Sequence, residues 1–200
     1  MYGDQQPFQP IDPRALEQVI ITGRLRQRPY RGPNYEAENR ALVALMQCLG
    51  STPECVLNLL AEKANELCRG HSAGISIEEG RGPHAVFRFR SVAGRWRHLE
   101  GTAIPRWNTP CAVVLDRCEP ILMNDLGRAF ALPREMTARV WEVLLVPLRG
   151  RNDVPVGTIW VVSHEPLREF DREDLRLMES LAAFGSAAWR VGIEVDGGQK

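Results

Sequence analysis

Apolar and polar residues change period several times along this chain, and each change marks an element. Leu16, Val19 and Ile20 share one helical face behind an Asp12-Pro13 start, where Asp12 can cap and Pro13 suits the first helical position. Residues 35–49 place Leu42, Leu45, Met46 and Leu49 at helical spacing, and Gly50 stops them. Thr52-Pro53-Glu54 restarts a helix with Val56, Leu59, Leu60, Ala64 and Leu67 on its apolar face, and Gly70 is expected just past its end. The period then falls to two. Ala73, Ile75 and Ile77 alternate with Ser72, Ser76 and Glu78, which predicts a half-buried strand. A turn over 80–83 leads to a second strand over 86–92, with Phe87 and Phe89 opposite Arg88 and Arg90. Residues 97–105 carry no periodicity and read as a loop.

Residues 107–123 organise the rest. Asn108 or Thr109 can cap, Pro110 fits the first helical turn, and one or two turns follow over 111–116. Pro120 ends the helical option and hands over to a short strand over 121–123. Residues 124–139 are irregular, with one helical turn expected over 133–136. Two long loops around one short helix predict cleft walls or a lid. Residues 141–148 and 156–163 are nearly continuous in apolar side chains, as central strands covered on both faces are. Residues 149–155 connect them as a hairpin loop. Phe170-Asp171 with Asp174 is a capping signature for a last helix. Leu175, Met178, Leu181, Ala182, Gly185, Ala188 and Trp189 line one side of it, and Leu177, Phe184 and Val191 a second. The order of elements predicts an α+β fold: an antiparallel sheet of five or six strands, helices on one face, a short helix plus loops on the other.

Composition narrows the class. Two hundred residues with 44% hydrophobic content make one domain with a sizeable core. Twenty-five basic and twenty-five acidic residues cancel, which argues against nucleic acid or an anionic membrane as partner. No apolar run approaches the ~20 residues of a membrane span, and the polar, proline-bearing start is no signal peptide, so a cytoplasmic protein is expected. Residues 1–35 read as a partly disordered extension, with Arg24, Arg26, Arg28 and Arg31 in a solvated linker. Residues 193–200 read as a disordered tail. Cys48, Cys55, Cys68, Cys111 and Cys118 show no metal spacing and are expected as free thiols, the first three filling core. His164, at a strand end before Pro166, is not placed as a helical phospho-acceptor.

Five stretches in this order carry a resemblance: residues 67–76; Thr109-Pro110-Cys111 with Leu115-Asp116-Arg117 and Pro120; residues 144–148; residues 156–162; and residues 170–178. Together they resemble the GAF domain, closest to those of bacterial sensor histidine kinases, over residues 36–192. The resemblance implies a non-catalytic sensory module of signal transduction. It implies a small-molecule ligand held between the sheet and residues 107–123, and a homodimer formed through the helices at 39–49 and 171–191. A histidine kinase or another signalling protein would take the output. The sequence names no cofactor and no metal.

Trp96, Trp107, Thr109, Cys111, Leu115, Trp141 and Trp160 are the expected ligand-binding residues, because aromatic walls with a few polar groups make most small-molecule sites. Cys111 carries the alternatives. Near a helix start its thiolate is favoured, so it could act in a redox switch with Cys118 as resolving partner. The resemblance adds a free methionine sulfoxide reductase, without that enzyme's cysteine-aspartate stretch. It also adds a photosensor with a tetrapyrrole attached at Cys111, where Ala112 replaces the usual histidine.

Overall fold

The computed structural model describes residues 11–133, 136 and 139–191. The expected disorder of residues 1–10 and 193–200 lies outside them. The described residues form five α-helices and six strands: α1 (Pro13–Val19), α2 (Tyr35–Cys48), α3 (Pro53–Leu67), β1 (Ser72–Glu79), β2 (Val86–Gly94), β3 (Ala103–Pro105), α4 (Pro110–Arg117), β4 (Ile121–Asn124), β5 (Glu142–Arg149), β6 (Pro155–Ser163) and α5 (Arg172–Val191). The strands make one antiparallel sheet in the order β3-β2-β1-β6-β5-β4. Alternation divides its side chains into two cores. On one face Ala73, Ile75, Leu144, Val146, Ile159 and Val161 pack beneath α2, α3 and α5. On the other Phe87, Phe89, Val143, Leu145, Trp160 and Val162 pack beneath α4 and the irregular segments. The expected α+β architecture is therefore present.

Local capping explains where the helices begin. Thr52, Thr109 and Asp171 accept backbone N–H groups of α3, α4 and α5. Asp174 Oδ2 returns a bond to the Asp171 N–H at 2.9 Å, so the capping box closes on itself. At the end of α3 the left-handed residue is Arg69, with φ 48°, and not Gly70. Gly70 is needed for space: a Cβ there would lie 2.3 Å from Val161 Cγ2.

Several expectations are corrected. Residues 103–105 form β3 against β2 rather than a loop, since three residues are too few to display alternation. β1 is buried on both faces, Ser72 and Ser76 included, because α4 and Trp160 cover the side that reads as solvent-facing. The basic linker is solvated only in part: Arg24 and Arg26 are exposed, but Arg28 and Arg31 are not. Arg28 grips the buried Glu142 with both terminal nitrogens, at 2.6 and 3.0 Å, and donates to the Phe170 carbonyl. Arg31 reaches Asp174 at 2.6 Å and the Leu67 carbonyl. Ahead of them Val19 is fully buried, and Ile21 N–H donates to the Leu122 carbonyl. This strap runs along β4 and covers an otherwise open sheet edge.

Cys48 and Cys55 are not free thiols. The short turn between α2 and α3 brings their Cα atoms to 6.4 Å, within disulfide reach, and they are bonded. The second apolar side of α5 does not face outward as a whole: Leu177 is buried and Phe184 packs against the same core. Val191's side chain lies outside the described residues.

Candidate functional site

The face of β1 toward α4 is Ser72, Gly74 and Ser76, three small residues in a row of alternate positions. They leave room for one large side chain from β6, and Trp160 fills it. A Cβ on Gly74 would sit 2.5 Å from the Trp160 ring, so only glycine fits there. Ser76 Oγ accepts the Trp160 indole N–H at 2.8 Å and fixes the ring. Phe89 packs tilted and Trp96 edge-on against it at centroid separations of 5.4 and 6.1 Å.

α4 lies over this floor. Its residues Cys111, Ala112, Val113, Val114 and Leu115 are all buried. Thr158 Oγ1 donates to Cys111 Sγ at 3.2 Å, and Cys111 N–H donates to Thr109 Oγ1. Burial pushes the Cys111 thiol pKa up, against these hydrogen bonds. The expected activation by the helix start is therefore overturned. Cys118 is no resolving partner either. It caps the far end of α4, about 10 Å along the helix at 1.5 Å per residue, whereas a disulfide needs Cα atoms within about 7 Å.

Between sheet and α4 lies a cavity of ≈ 40 Å³. Phe89, Trp96 and Trp160 form its aromatic wall, Thr109 and Cys111 its α4 side, and Leu126, Leu132 and Met136 the side built from irregular chain. At that volume it has room for about three water molecules. Asn108 holds the irregular wall in place. Its side chain donates to the Ala131 carbonyl at 2.6 Å and accepts the Ala131 N–H at 2.9 Å. One polar atom of Trp96 is orphaned: its Nε1 is buried with no hydrogen-bond partner among the described residues.

Of the seven expected site residues, Trp96, Thr109, Cys111 and Trp160 line the cavity. Leu115 is buried in the same core but does not reach it. Trp107 and Trp141 are half-buried and are not part of its lining, and the Arg139 guanidinium lies over the Trp141 ring at 5.1 Å. Sequence reasoning missed Asn108 as a clamp, Phe89 as a wall and the serine face of β1. The Ser-Gly-Ser alternation opposite a strand tryptophan was the available signal.

Behind Trp96 a polar chain closes the site. Ser72 Oγ accepts the Trp96 N–H and meets His164 Nε2 at 2.9 Å. His164 Nδ1 lies 3.0 Å from the Arg139 carbonyl, which can only accept, so Nδ1 carries the proton and Nε2 accepts from Ser72. Burial lowers the His164 pKa, the direction that favours the neutral ring. Among the described residues no group of three or more His, Cys, Asp or Glu side chains could hold a metal ion. No described helix is long and apolar enough to cross a membrane.

This arrangement, a six-stranded antiparallel sheet with a short capped helix roofing a small aromatic cavity, can be set beside known proteins. The GAF domain family model matches residues 50–190. The chain belongs to the GAF family. No curated protein sequence matches it. Among solved structures it is similar to the GAF domain of an Acinetobacter phosphoenolpyruvate-protein phosphotransferase, at 17% identity and TM-score 0.64, over 78% of this chain and 93% of that one. It is similar to free methionine-R-sulfoxide reductase from Neisseria meningitidis, solved with its substrate, at 16% identity and TM-score 0.59, over 80% and 93%. It is also similar to the GAF domain of a protein described as a sensor histidine kinase from Pseudomonas syringae pv. tomato, at 20% identity and TM-score 0.52, over 77% and 86%. At these identities the likeness is one of fold.

Proposed function

We propose that this GAF domain is a non-catalytic sensory module that takes a small, largely apolar molecule between β6 and α4. The orphaned indole N–H of Trp96 carries the reading. A buried donor without an acceptor costs about 1–3 kcal/mol, and a ligand oxygen would remove that cost. The cavity is far smaller than the ~300 Å³ of an ordinary ligand site, so a ligand enters by displacing Leu126, Leu132 and Met136 side chains. Methionine, unbranched and adaptable, suits that role. The buried, protonated Cys111 thiol favours binding over thiol chemistry. A solvent-inaccessible sulfur also speaks against covalent tetrapyrrole attachment.

Output fits the helices on the other face. Four of the exposed large apolar residues, Tyr35, Val43, Met46 and Leu49, lie on α2 and its C-cap. A second copy covering that stripe would bury it, and a histidine kinase or another signalling protein would read the pair. Native mass spectrometry of the purified protein tests occupancy. A bound molecule should leave on denaturation, and Val162→Trp, which fills the cavity, should abolish its binding. A bound molecule retained by V162W would contradict the placement.

A further inference from the structure

A second cleft opens on the opposite face of the sheet. β4 stops with Ile121 opposite Leu145, while β5 continues to Arg149. Residues 146–149 therefore lack a strand neighbour on that side, and the second half of α5 crosses them. Alanine at 182 and 183 is too small to fill the gap. The result is a cleft of ≈ 350 Å³ between α5, β5 and Pro120. That is nearly nine times the volume at Cys111 and lies in the range of small-molecule sites.

Its lining is chemically mixed. Pro120, Val146, Pro147, Ala182 and Ala183 make an apolar floor. Ser186 is 5% exposed and its Oγ accepts the Arg149 N–H at 2.9 Å, which leaves its hydroxyl free to act as a donor as well. Arg149 is held by the Cys118 carbonyl at 3.1 Å and by Asp153 at 3.0 Å, which fixes the guanidinium and leaves part of its five N–H donors unspent. Arg190 meets no carboxylate among the described residues and stands at one end, with Glu179 at the other. Asp153 and Glu179 balance the two guanidiniums in formal charge, so what the lining offers an anion is Arg190, unpaired among the described residues, and the unspent donors of Arg149.

The geometry points to a binding site for a compact organic monoanion, a carboxylate on an apolar body. The body packs on the proline and alanine floor. The carboxylate takes donors from Ser186, Arg149 and Arg190, because charge-assisted bonds to fixed guanidinium groups are the strong ones. The site is independent of the cavity at Trp96. A ligand in it would touch α5 directly and so give the module a second input.

Benzoate is the probe, and its uncharged isostere benzamide is the control, each titrated into the full chain while backbone amide resonances are followed. Saturable shifts for benzoate are expected at residues 146–149 and 182–190, with affinity at least about tenfold above that of benzamide. Arg190→Gln should remove about that factor. Ala183→Leu, at an exposed helix position, should fill the cleft and abolish the shifts while the rest of the spectrum stays unchanged. Equal response to benzamide, shifts that survive A183L, or no saturable response to benzoate would each overturn the assignment. Shifts at these residues that follow protein concentration without any probe would mark the cleft as a contact between copies, and would overturn it too.

Discussion

The Cys111 thiol sits one residue inside α4, where a helix dipole lowers a thiol pKa, yet its pKa is raised. Desolvation wins, because the side chain is 4% exposed and its hydrogen bonds come from neutral groups. The helix start and its Thr109 cap are local features and were legible in the sequence. The burial that reverses their effect comes from sheet residues far along the chain, Val143, Leu145 and Trp160, and was not. Cys68 is buried likewise and its thiol is pushed up, whereas Cys118 is half-exposed at the end of α4. Iodoacetamide on the folded protein at pH 8, without reductant, should therefore give one fast adduct, at Cys118. Denaturation should add Cys68 and Cys111, and Cys48 and Cys55 should stay bonded. Peptide mapping by mass spectrometry checks this. Labelling of Cys111 as fast as Cys118 would restore the thiol-chemistry reading.

Elements show a parallel division. Caps at Thr52, Thr109 and Asp171, the alternation of β1 and β2 and the apolar runs of β5 and β6 are short-range signals, and they place α3, α4, α5 and these four strands in the sequence. The strap ahead of α2 is different. Its Arg28 acts through Glu142, 114 positions on, and nothing within ten residues of either foretells the pair. Composition alone makes four arginines among prolines look like a solvated linker. In the fold, Arg28 and Glu142 side chains are 11% and 2% exposed. Removing one partner leaves a buried charge unpaired, which costs about 3–5 kcal/mol. Arg28→Ala is expected to lower unfolding free energy in urea by about that amount. Adding Glu142→Gln should recover part of the loss, since it removes the stranded charge. Independent, additive losses from the two changes would show that the strap is not pinned by this pair.

At the scale of the whole molecule, the sheet separates two volumes with different chemistry. One face holds a small aromatic cavity under α4, the other an open cleft with two arginines beside α5. The layer order and the side of the sheet that carries the cavity were legible from residues 107–123. Cavity size and lining were not, because they depend on how Gly74, Trp160, Trp96 and Asn108 interlock across four separate segments. That interlock carries the functional reading: Trp160 is pinned by Ser76, while Trp96 Nε1 is left without an acceptor.

The most direct measurement follows the Trp96 indole Nε1–H resonance in the 15N-labelled protein, assigned with Trp96→Phe, as neutral aromatic aldehydes and ketones are added singly. At least one should move this resonance downfield and saturably, as a new hydrogen bond requires, together with the amides of Cys111 and Thr158. Trp189, on the helical face of the sheet, should stay still. A Trp96 resonance that never moves while ligands saturate elsewhere would contradict the placement of the sensory site in this cavity.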